Sequence, residues 1–313
     1  MTIIVYDDDI RALLDARDAV RWMGEAIDAN YGGDFVAPPR VHADLGDGRI
    51  VFTTGHLRGS WFGYRSYDTF AAKPGSQVVI VHDESSGEVR AIGIGNELGP
   101  RRTGAIGAVA AEALSSPTAT VAAIIGTGTQ ALTQLWALST VRSLSEVRVF
   151  SRSPARREAF AELAQHLYGV ACNAAPTARD AVDGAQIVVL ATSSSTPVID
   201  ASWLEPDAYV TTLGPQQQGR AEFGLDLPAV AALIVTDSPS QLDAYDPPNM
   251  LVGTLHHDRI ASLGAVRAGD VTRPGAGSVT VFCSVGLAGT EAFLLDRLAT
   301  SLNGGRLEEP TSR

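Results

Sequence analysis

One stretch of the sequence constrains the fold more than any other, because it joins an apolar run, a glycine turn and a helical segment. Residues 121–131 read VAAIIGTGTQA, in which the apolar run is followed by the pattern G-x-G-x-x-A. Short apolar runs then alternate with segments of helical spacing. Runs that are apolar on both faces are typical of parallel strands covered by helices. The sequence therefore predicts an α/β fold with a doubly wound, Rossmann-type parallel sheet over residues 118–285.

The same alternation places the elements of this domain. Strands are expected at residues 121–125, 147–150, 187–190, 208–213 and 232–235. Helices are expected at residues 130–141, 154–168 and 178–182, with a short one near Ala229.

The glycine turn predicts how a dinucleotide is held. Gly126 makes the turn, Gly128 lets the backbone approach a pyrophosphate, and Ala131 allows close packing of helix on strand. The helix N-terminus offers free N–H groups and a positive dipole end to the phosphates. The predicted binding residues are Gly126, Thr127, Gly128, Thr129 and Gln130. The alternative is a purely structural turn, which the flanking strand and helix make the weaker interpretation.

The end of the second strand selects the form of the cofactor. A carboxylate there would bind the ribose 2′-hydroxyl of NAD(H), but this strand is followed by Ser151, Arg152 and Ser153, with Arg156 close behind. Hydroxyl and guanidinium groups are suited to a 2′-phosphate. The sequence therefore favours NADP(H), and NAD(H) is the alternative if Arg152 is only a solvated surface residue.

The first part of the chain has a different pattern. Aspartates at residues 7–9 can cap a helix over residues 10–30. Strands are expected at residues 41–45, 50–54, 61–69, 78–83 and 89–94, and an Ala-rich helix at residues 102–114. Short strands separated by turn residues are typical of an antiparallel sheet. Residues 1–117 are therefore predicted to form a separate α+β domain.

Composition limits the class of function. The formal net charge is −11, so a nucleic-acid partner is not expected. Cys172 and Cys283 have neither metal-ligand nor disulfide-framework spacing, so no metal site is expected and a reducing compartment fits. The sequence has no signal-peptide pattern and no apolar run long enough to span a bilayer. The resulting expectation is a cytoplasmic enzyme without a membrane partner.

Five segments resemble the ornithine cyclodeaminase/mu-crystallin family over nearly the whole chain. They are Pro39-Arg40, Arg102-Thr103-Gly104-Ala105, the glycine turn, Ala191-Thr192-Ser193-Ser194 and Phe282-Cys283-Ser284-Val285-Gly286. The resemblance implies an N-terminal substrate-binding and dimerisation domain, completed by a C-terminal helix at residues 286–303, and hence a homodimer. It also implies that Thr192, Ser193 and Ser284 contact the cofactor. Members of the family move a hydride at the α-carbon of a small amino or imino acid.

The resemblance further implies how the substrate carboxylate is bound. Family arginines matching Arg40 and Arg102 face this carboxylate, and Arg65 replaces a lysine that members commonly carry in a G-x-K segment. Guanidinium groups suit a carboxylate, and Arg102 is expected to open a helix, where an anion would bind. Arg40, Arg65 and Arg102 are the predicted substrate-binding residues, with Arg65 and Arg102 as the catalytic pair. The alternative for each arginine is a surface ion pair.

A departure from the family at Gly224 bears on the reaction. Cyclodeaminases carry there an aspartate that binds the distal amine, and Asp226 could replace it only if the loop shifts. Arg65 cannot shuttle a proton, and Lys73 is interpreted as a solvated loop residue. The remaining candidates for a proton donor are His56, Tyr64 and Tyr67.

Three functional hypotheses follow. The leading one is an NAD(P)H-dependent reductase or dehydrogenase of a cyclic imino acid or an α-imino or α-amino acid. The second is an NAD-dependent cyclodeaminase of the ornithine or lysine type. The third is a cofactor-binding protein with impaired catalysis, and turnover of any imino acid would exclude it.

Overall fold

The computed structural model describes residues 2–70 and 77–306, and Lys73 lies outside these ranges. The chain forms two compact units: Met1–Arg102 with Leu287–Arg313, called the split unit, and Thr103–Gly286, called the central unit. The chain thus enters the central unit at residue 103, whereas the sequence suggests a boundary after residue 117. Within the described ranges, no helix combines the length and apolarity needed to cross a membrane.

The split unit is an α+β structure around one mixed sheet. Its strands are β1 (Ile3–Tyr6), β2 (Phe35–Val36), β3 (Val41–Asp44), β4 (Arg49–Leu57), β5 (Trp61–Asp68), β6 (Gln77–Asp83) and β7 (Val89–Gly95). Its helices are α1 (Asp7–Leu13), α2 (Ala16–Gly32) and α10 (Thr290–Arg306), and α3 (Leu98–Leu114) begins in it. The sheet order is β1-β7-β6-β5-β4-β2, with β3 also on β4. Among the described strands of this sheet, only the pair β1 and β7 is parallel.

One face of this sheet buries an aromatic cluster. Phe35, Trp61 and Phe293 lie with ring centroids 5.5–5.9 Å apart and tilted or edge-on planes, a favourable arrangement of ring quadrupoles. All three are almost fully buried. Because Phe293 belongs to α10, this cluster fixes the C-terminal helix on the sheet.

The prediction of a single helix over residues 10–30 is wrong. The structure has α1 and α2 instead, and Asp15 lies between them as the N-cap of α2, accepting a hydrogen bond from the backbone N–H of Arg17. An N-cap residue has extended backbone angles, so a helix cannot continue through it. The apolar spacing carries across this break, which is why the sequence suggests one helix.

The central unit is the doubly wound α/β structure that the sequence predicts. Its strands are β8 (Val121–Ile125), β9 (Glu146–Phe150), β10 (Ala171–Ala174), β11 (Ile187–Leu190), β12 (Tyr209–Thr212), β15 (Ala231–Thr236), β16 (Ile260–Ser262) and β17 (Val279–Cys283). They form one parallel sheet in the order β10-β9-β8-β11-β12-β17-β15-β16. Two short strands, β13 (Gln216–Gln217) and β14 (Arg220–Ala221), form a separate hairpin.

Helices connect the parallel strands of the central unit. They are α4 (Thr129–Val141), α5 (Pro154–Tyr168), α6 (Ala178–Val182), α7 (Asp226–Val230), α8 (Pro239–Asp243) and α9 (Leu263–Ala268). The strand order reverses between β8 and β11, since the chain moves from β8 towards β9 and β10 and then returns to β11. Ligands of such sheets bind beyond the carboxyl ends of the strands at this switch point.

Candidate functional site

A cavity of about 940 Å³ lies at the switch point of the central unit. The ends of β8, β9 and β11 contribute its walls. The predicted cofactor residues that line it are Gly126, Thr127, Gly128, Thr129, Gln130, Ser151, Arg152, Ser153, Arg156, Thr192 and Ser193. Ser284, the remaining predicted contact, follows β17 and is not among the lining residues. The structure thus brings eleven of the twelve predicted positions together.

The two glycines of the turn have different surroundings. Gly126 has φ of 120°, which L side chains rarely adopt, and a Cβ atom there would overlap the carbonyl group of Ala191. Gly128 has φ of −88° as the N-cap of α4, and a Cβ atom there would meet nothing within 4 Å. The first glycine is therefore required by the fold. The second leaves open space beside the N-terminus of α4, where phosphate is favoured.

The end of β9 presents two cationic side chains to the cavity. Arg152 and Arg156 line it and are exposed. Neither guanidinium has a hydrogen bond or ion pair with another residue in the described part of the chain, whereas Arg157 donates to the carbonyl groups of Ser151 and Pro176. The lining residues include no carboxylate. The cavity therefore carries two uncompensated positive charges at this end.

Glu222 is a buried anchor that the sequence analysis does not predict. Its Oε2 accepts hydrogen bonds from the backbone N–H and hydroxyl of Thr192 at 2.9 and 2.8 Å. Its Oε1 accepts from the N–H groups of Leu213 and Gly214 at 3.0 and 2.5 Å. Burial raises the pKa of Glu222, and these four donors oppose that rise. The carboxylate thus joins the segment after β11, which lines the cavity, to the segment after β12.

Asp226 serves a structural role. It is the first residue of α7, and its Oδ2 accepts a hydrogen bond from the N–H of Ala201 at 2.8 Å. Gly224 lies two residues earlier, so the position of the expected aspartate carries no side chain. The described part of the chain also holds no group of three His, Cys, Asp or Glu side chains that could bind a metal ion.

Arg65 and Arg102 meet at Glu291 within the split unit. The Oε1 atom of Glu291 accepts from Arg65 Nη1 at 2.6 Å and from Arg102 Nε at 2.9 Å. Arg65 also donates through Nε to Gln77 at 2.8 Å, and its guanidinium lies 4.4 Å from the ring centroid of Tyr67. Burial raises the pKa of Glu291, but the charges of Arg102 and Arg65 outweigh it and hold the pKa below its usual value. Glu291 is therefore an anion shared by two cations.

The placement of Arg102 differs from the expected one. Helix α3 begins at Leu98, so Arg102 lies one turn inside the helix and does not open it. Pro100 falls in the first turn, where a missing N–H and a fixed φ are tolerated. A helix that begins at residue 102, as the sequence predicts, would leave Gly99 and Pro100 outside it, whereas both belong to its first turn. The side chain of Arg102, and not a free backbone N–H group, is thus the available anion donor.

The other candidates of the split unit lie on or beside the same sheet. Arg40 is half-buried between β2 and β3. His56 pairs with Glu84 at 2.9 Å, and both His56 and Tyr64 line a separate apolar cavity of about 590 Å³. Only Tyr67, beneath the guanidinium of Arg65, contacts the arginine pair through a described interaction.

Comparison with known proteins identifies relatives. The ornithine cyclodeaminase/mu-crystallin family model matches residues 2–297. A Rhizobium meliloti protein, provisionally named a dehydrogenase, is 32% identical over 284 residues, which cover 85% of this chain and 82% of that protein. A Delta(1)-pyrroline-2-carboxylate reductase of Bacillus cereus is 31% identical over 216 residues, covering 67% and 66%. A solved archaeal alanine dehydrogenase dimer with bound NAD has a TM-score of 0.87 at 23% identity, covering 97% of each chain.

Proposed function

This chain belongs to the ornithine cyclodeaminase/mu-crystallin family, and we propose that it is an NADP(H)-dependent reductase or dehydrogenase. Its proposed substrate is a cyclic imino acid or an α-imino or α-amino acid, and the hydride moves at the α-carbon. The observation that carries this proposal is the lined cavity at the switch point of the central unit. The relative from Bacillus cereus, named for reduction of a cyclic imino acid, supports the substrate class.

The residues of the cavity fit a dinucleotide. Gly128 leaves open space at the start of α4, as the approach of a pyrophosphate to the backbone requires. Gln130 also lines the cavity, and its side-chain amide offers both donors and an acceptor to a polar ligand. Arg152 and Arg156 would hold the 2′-phosphate that distinguishes NADP(H) from NAD(H).

The chain's own residues provide binding and orientation. Arg65 and Arg102 bind the substrate carboxylate, because the planar fork of a guanidinium can hold it in one orientation. This fixes the α-carbon and lowers the entropy cost of reaching the reactive geometry. When bound, the dinucleotide supplies or accepts the hydride.

Cofactor choice is tested by calorimetry with NADPH and NADH. Arg152→Ala is expected to weaken NADPH binding by about 1.5–3 kcal/mol, the contribution of a charged hydrogen bond, and to leave NADH binding unchanged. The matched control is Arg179→Ala, which removes an exposed arginine of α6 that does not line the cavity. Wild-type protein that binds NADH as tightly as NADPH would contradict the proposed preference.

A homodimer through the sheet of the split unit is part of the proposal. Val41 and Phe62 are 60% and 41% exposed, and Phe62 lines the apolar cavity of about 590 Å³ together with Phe52 and Tyr64. Contiguous apolar surface of this kind marks interaction sites, and the alanine dehydrogenase structure is a dimer. A second copy of this chain is therefore the proposed partner.

Sedimentation velocity tests the dimer. The wild type is expected to sediment as a dimer, and Phe62→Glu as a monomer, because a charge cannot be buried there without a partner. Leu167→Glu is the control, since Leu167 is 51% exposed on α5 in the central unit. A monomeric wild type, or a dimer that persists in Phe62→Glu, would contradict this interface.

A further inference from the structure

The two arginines assigned to the substrate carboxylate share one internal carboxylate oxygen. Arg65 and Arg102 reach Oε1 of Glu291 from β5 and α3, and Glu291 itself is fully buried in the first turn of α10. The second oxygen, Oε2, is buried and has no hydrogen-bond partner in the described part of the chain. A fully buried, half-satisfied carboxylate is costly, so its presence beside a binding site suggests a role beyond packing.

The cluster of Arg65, Arg102 and Glu291 has a net charge that one further anion can balance. Two guanidinium groups carry a charge of +2 and Glu291 carries −1, so the three side chains sum to +1. Donors also remain, since Arg65 uses Nε and Nη1 and Arg102 uses Nε in the bonds to Gln77 and Glu291. The free nitrogen atoms can still bind a single carboxylate, which brings the cluster to neutrality.

We propose that Glu291 is a specificity-determining positioning residue, which restricts the Arg65–Arg102 pair to substrates with one carboxylate. This inference rests on the proposed function, because it assumes that the arginine pair binds the substrate carboxylate. A second carboxylate at the pair has no countercharge left, because Glu291 and the first carboxylate already balance the two guanidinium groups. Like charges in a poorly hydrated site repel strongly, so the dicarboxylate is rejected by repulsion and not by lack of space.

The test uses two stable planar analogues of a cyclic imino acid, pyridine-2-carboxylate and pyridine-2,6-dicarboxylate. Their Kd values are measured by calorimetry on full-length protein saturated with NADP⁺. The wild type is expected to prefer the monocarboxylate. Glu291→Gln removes the internal charge with little change in volume, and the ratio of the two Kd values is expected to shift towards the dicarboxylate at least tenfold, equivalent to about 1.4 kcal/mol.

Two variants separate charge from packing. Glu291→Asp keeps the charge and should keep the wild-type ratio of Kd values, even if both ligands bind more weakly. Glu97→Gln is the matched control, because Glu97 lies in the same unit and pairs with Arg11 and Arg101 instead of the arginine pair. A loss of packing alone would raise the Kd values of both ligands in parallel. The proposal instead requires the ratio of the two Kd values to change, and to change only in Glu291→Gln.

The outcomes distinguish this inference from the proposed function. If the wild type binds neither analogue, the carboxylate site itself is misplaced and both proposals fail. If it binds both and Glu291→Gln leaves the ratio unchanged, only the role of Glu291 is overturned. Should Glu291→Gln not fold, the wild type still tests the inference, since a wild type that binds the dicarboxylate as tightly as the monocarboxylate would overturn it.

Discussion

The two glycines of the turn after β8 should respond to alanine in opposite ways. At Gly126 an added methyl group forces an L residue to φ of 120° and overlaps the carbonyl group of Ala191. Strained backbone angles cost about 1–3 kcal/mol, and steric overpacking costs about 1–3 kcal/mol more. We therefore expect Gly126→Ala to destabilise the protein by roughly 2–6 kcal/mol.

Gly128→Ala should leave stability nearly unchanged. Its φ of −88° is allowed for alanine, and the added Cβ atom meets nothing within 4 Å. Alanine is a poorer N-cap than glycine by about 0.5–1 kcal/mol, but it reduces the entropy of the unfolded chain by about 0.4–1 kcal/mol. The methyl group instead occupies the space proposed for the pyrophosphate. NADPH affinity should fall at least tenfold, about 1.4 kcal/mol.

Thermal unfolding and calorimetry separate these two effects. In a unit of this size each kcal/mol shifts Tm by about 2–4 °C, so Gly126→Ala should lower Tm by several degrees while Gly128→Ala stays near the wild type. NADPH titration should then show the loss of affinity in Gly128→Ala despite its unchanged Tm. The reasoning is refuted if Gly128→Ala binds NADPH as the wild type does, or if Gly126→Ala keeps the wild-type Tm.

Three further predictions concern the arginine pair, the reaction and the cysteines. Arg102→Lys keeps the positive charge but loses the planar guanidinium. The value of kcat/KM for the imino acid should therefore fall about tenfold or more, with little change in NADPH affinity. An unchanged kcat/KM would show that Arg102 is structural. The protein should release no ammonia from ornithine in the presence of NAD⁺. Gly224 carries no amine-binding carboxylate, and the Asp226 carboxylate already accepts a hydrogen bond from the N–H of Ala201. Ammonia release at a useful rate would contradict this prediction. Burial raises the pKa of Cys172 to about 11 and that of Cys283 to about 12. Both thiols should therefore resist a disulfide reagent at about pH 8 until the protein is denatured. Rapid labelling of the native protein would contradict this prediction.

Local pattern was enough to predict five of the eight described parallel strands of the central unit, but it did not indicate β10, β16, β17, α8 or α9. The strands at residues 121–125 and 187–190 and the helices at residues 154–168 and 178–182 have the bounds that the sequence suggests. Apolar runs, caps and the glycine turn act over a few residues, so they can be detected without knowledge of the fold. The grouping of the Gly126 turn with the residues after β9 follows from parallel topology, which places the carboxyl ends of neighbouring strands together.

Contacts between segments that are distant along the chain could not be predicted from the sequence. Glu291 lies 226 positions from Arg65, and no local pattern indicates that one carboxylate serves both arginines. Strand β17 is inserted between β12 and β15, although β15 precedes it in the chain. Strand β1 pairs in parallel with β7, and its four residues are too few for periodicity to identify. Tertiary pairing decides such elements, and local propensity does not.

The central claim is hydride transfer between NADP(H) and the α-carbon of an imino acid. It is tested most directly with NADPH deuterated on either face of C4 of the nicotinamide and a panel of cyclic and acyclic imino acids, with mass spectrometry of the amino-acid product. The account predicts that, for one of the two labelled forms, each NADPH oxidised places one deuterium at the α-carbon. NADPH that binds but is not consumed with any imino acid, or product without deuterium at the α-carbon from either labelled form, would contradict it.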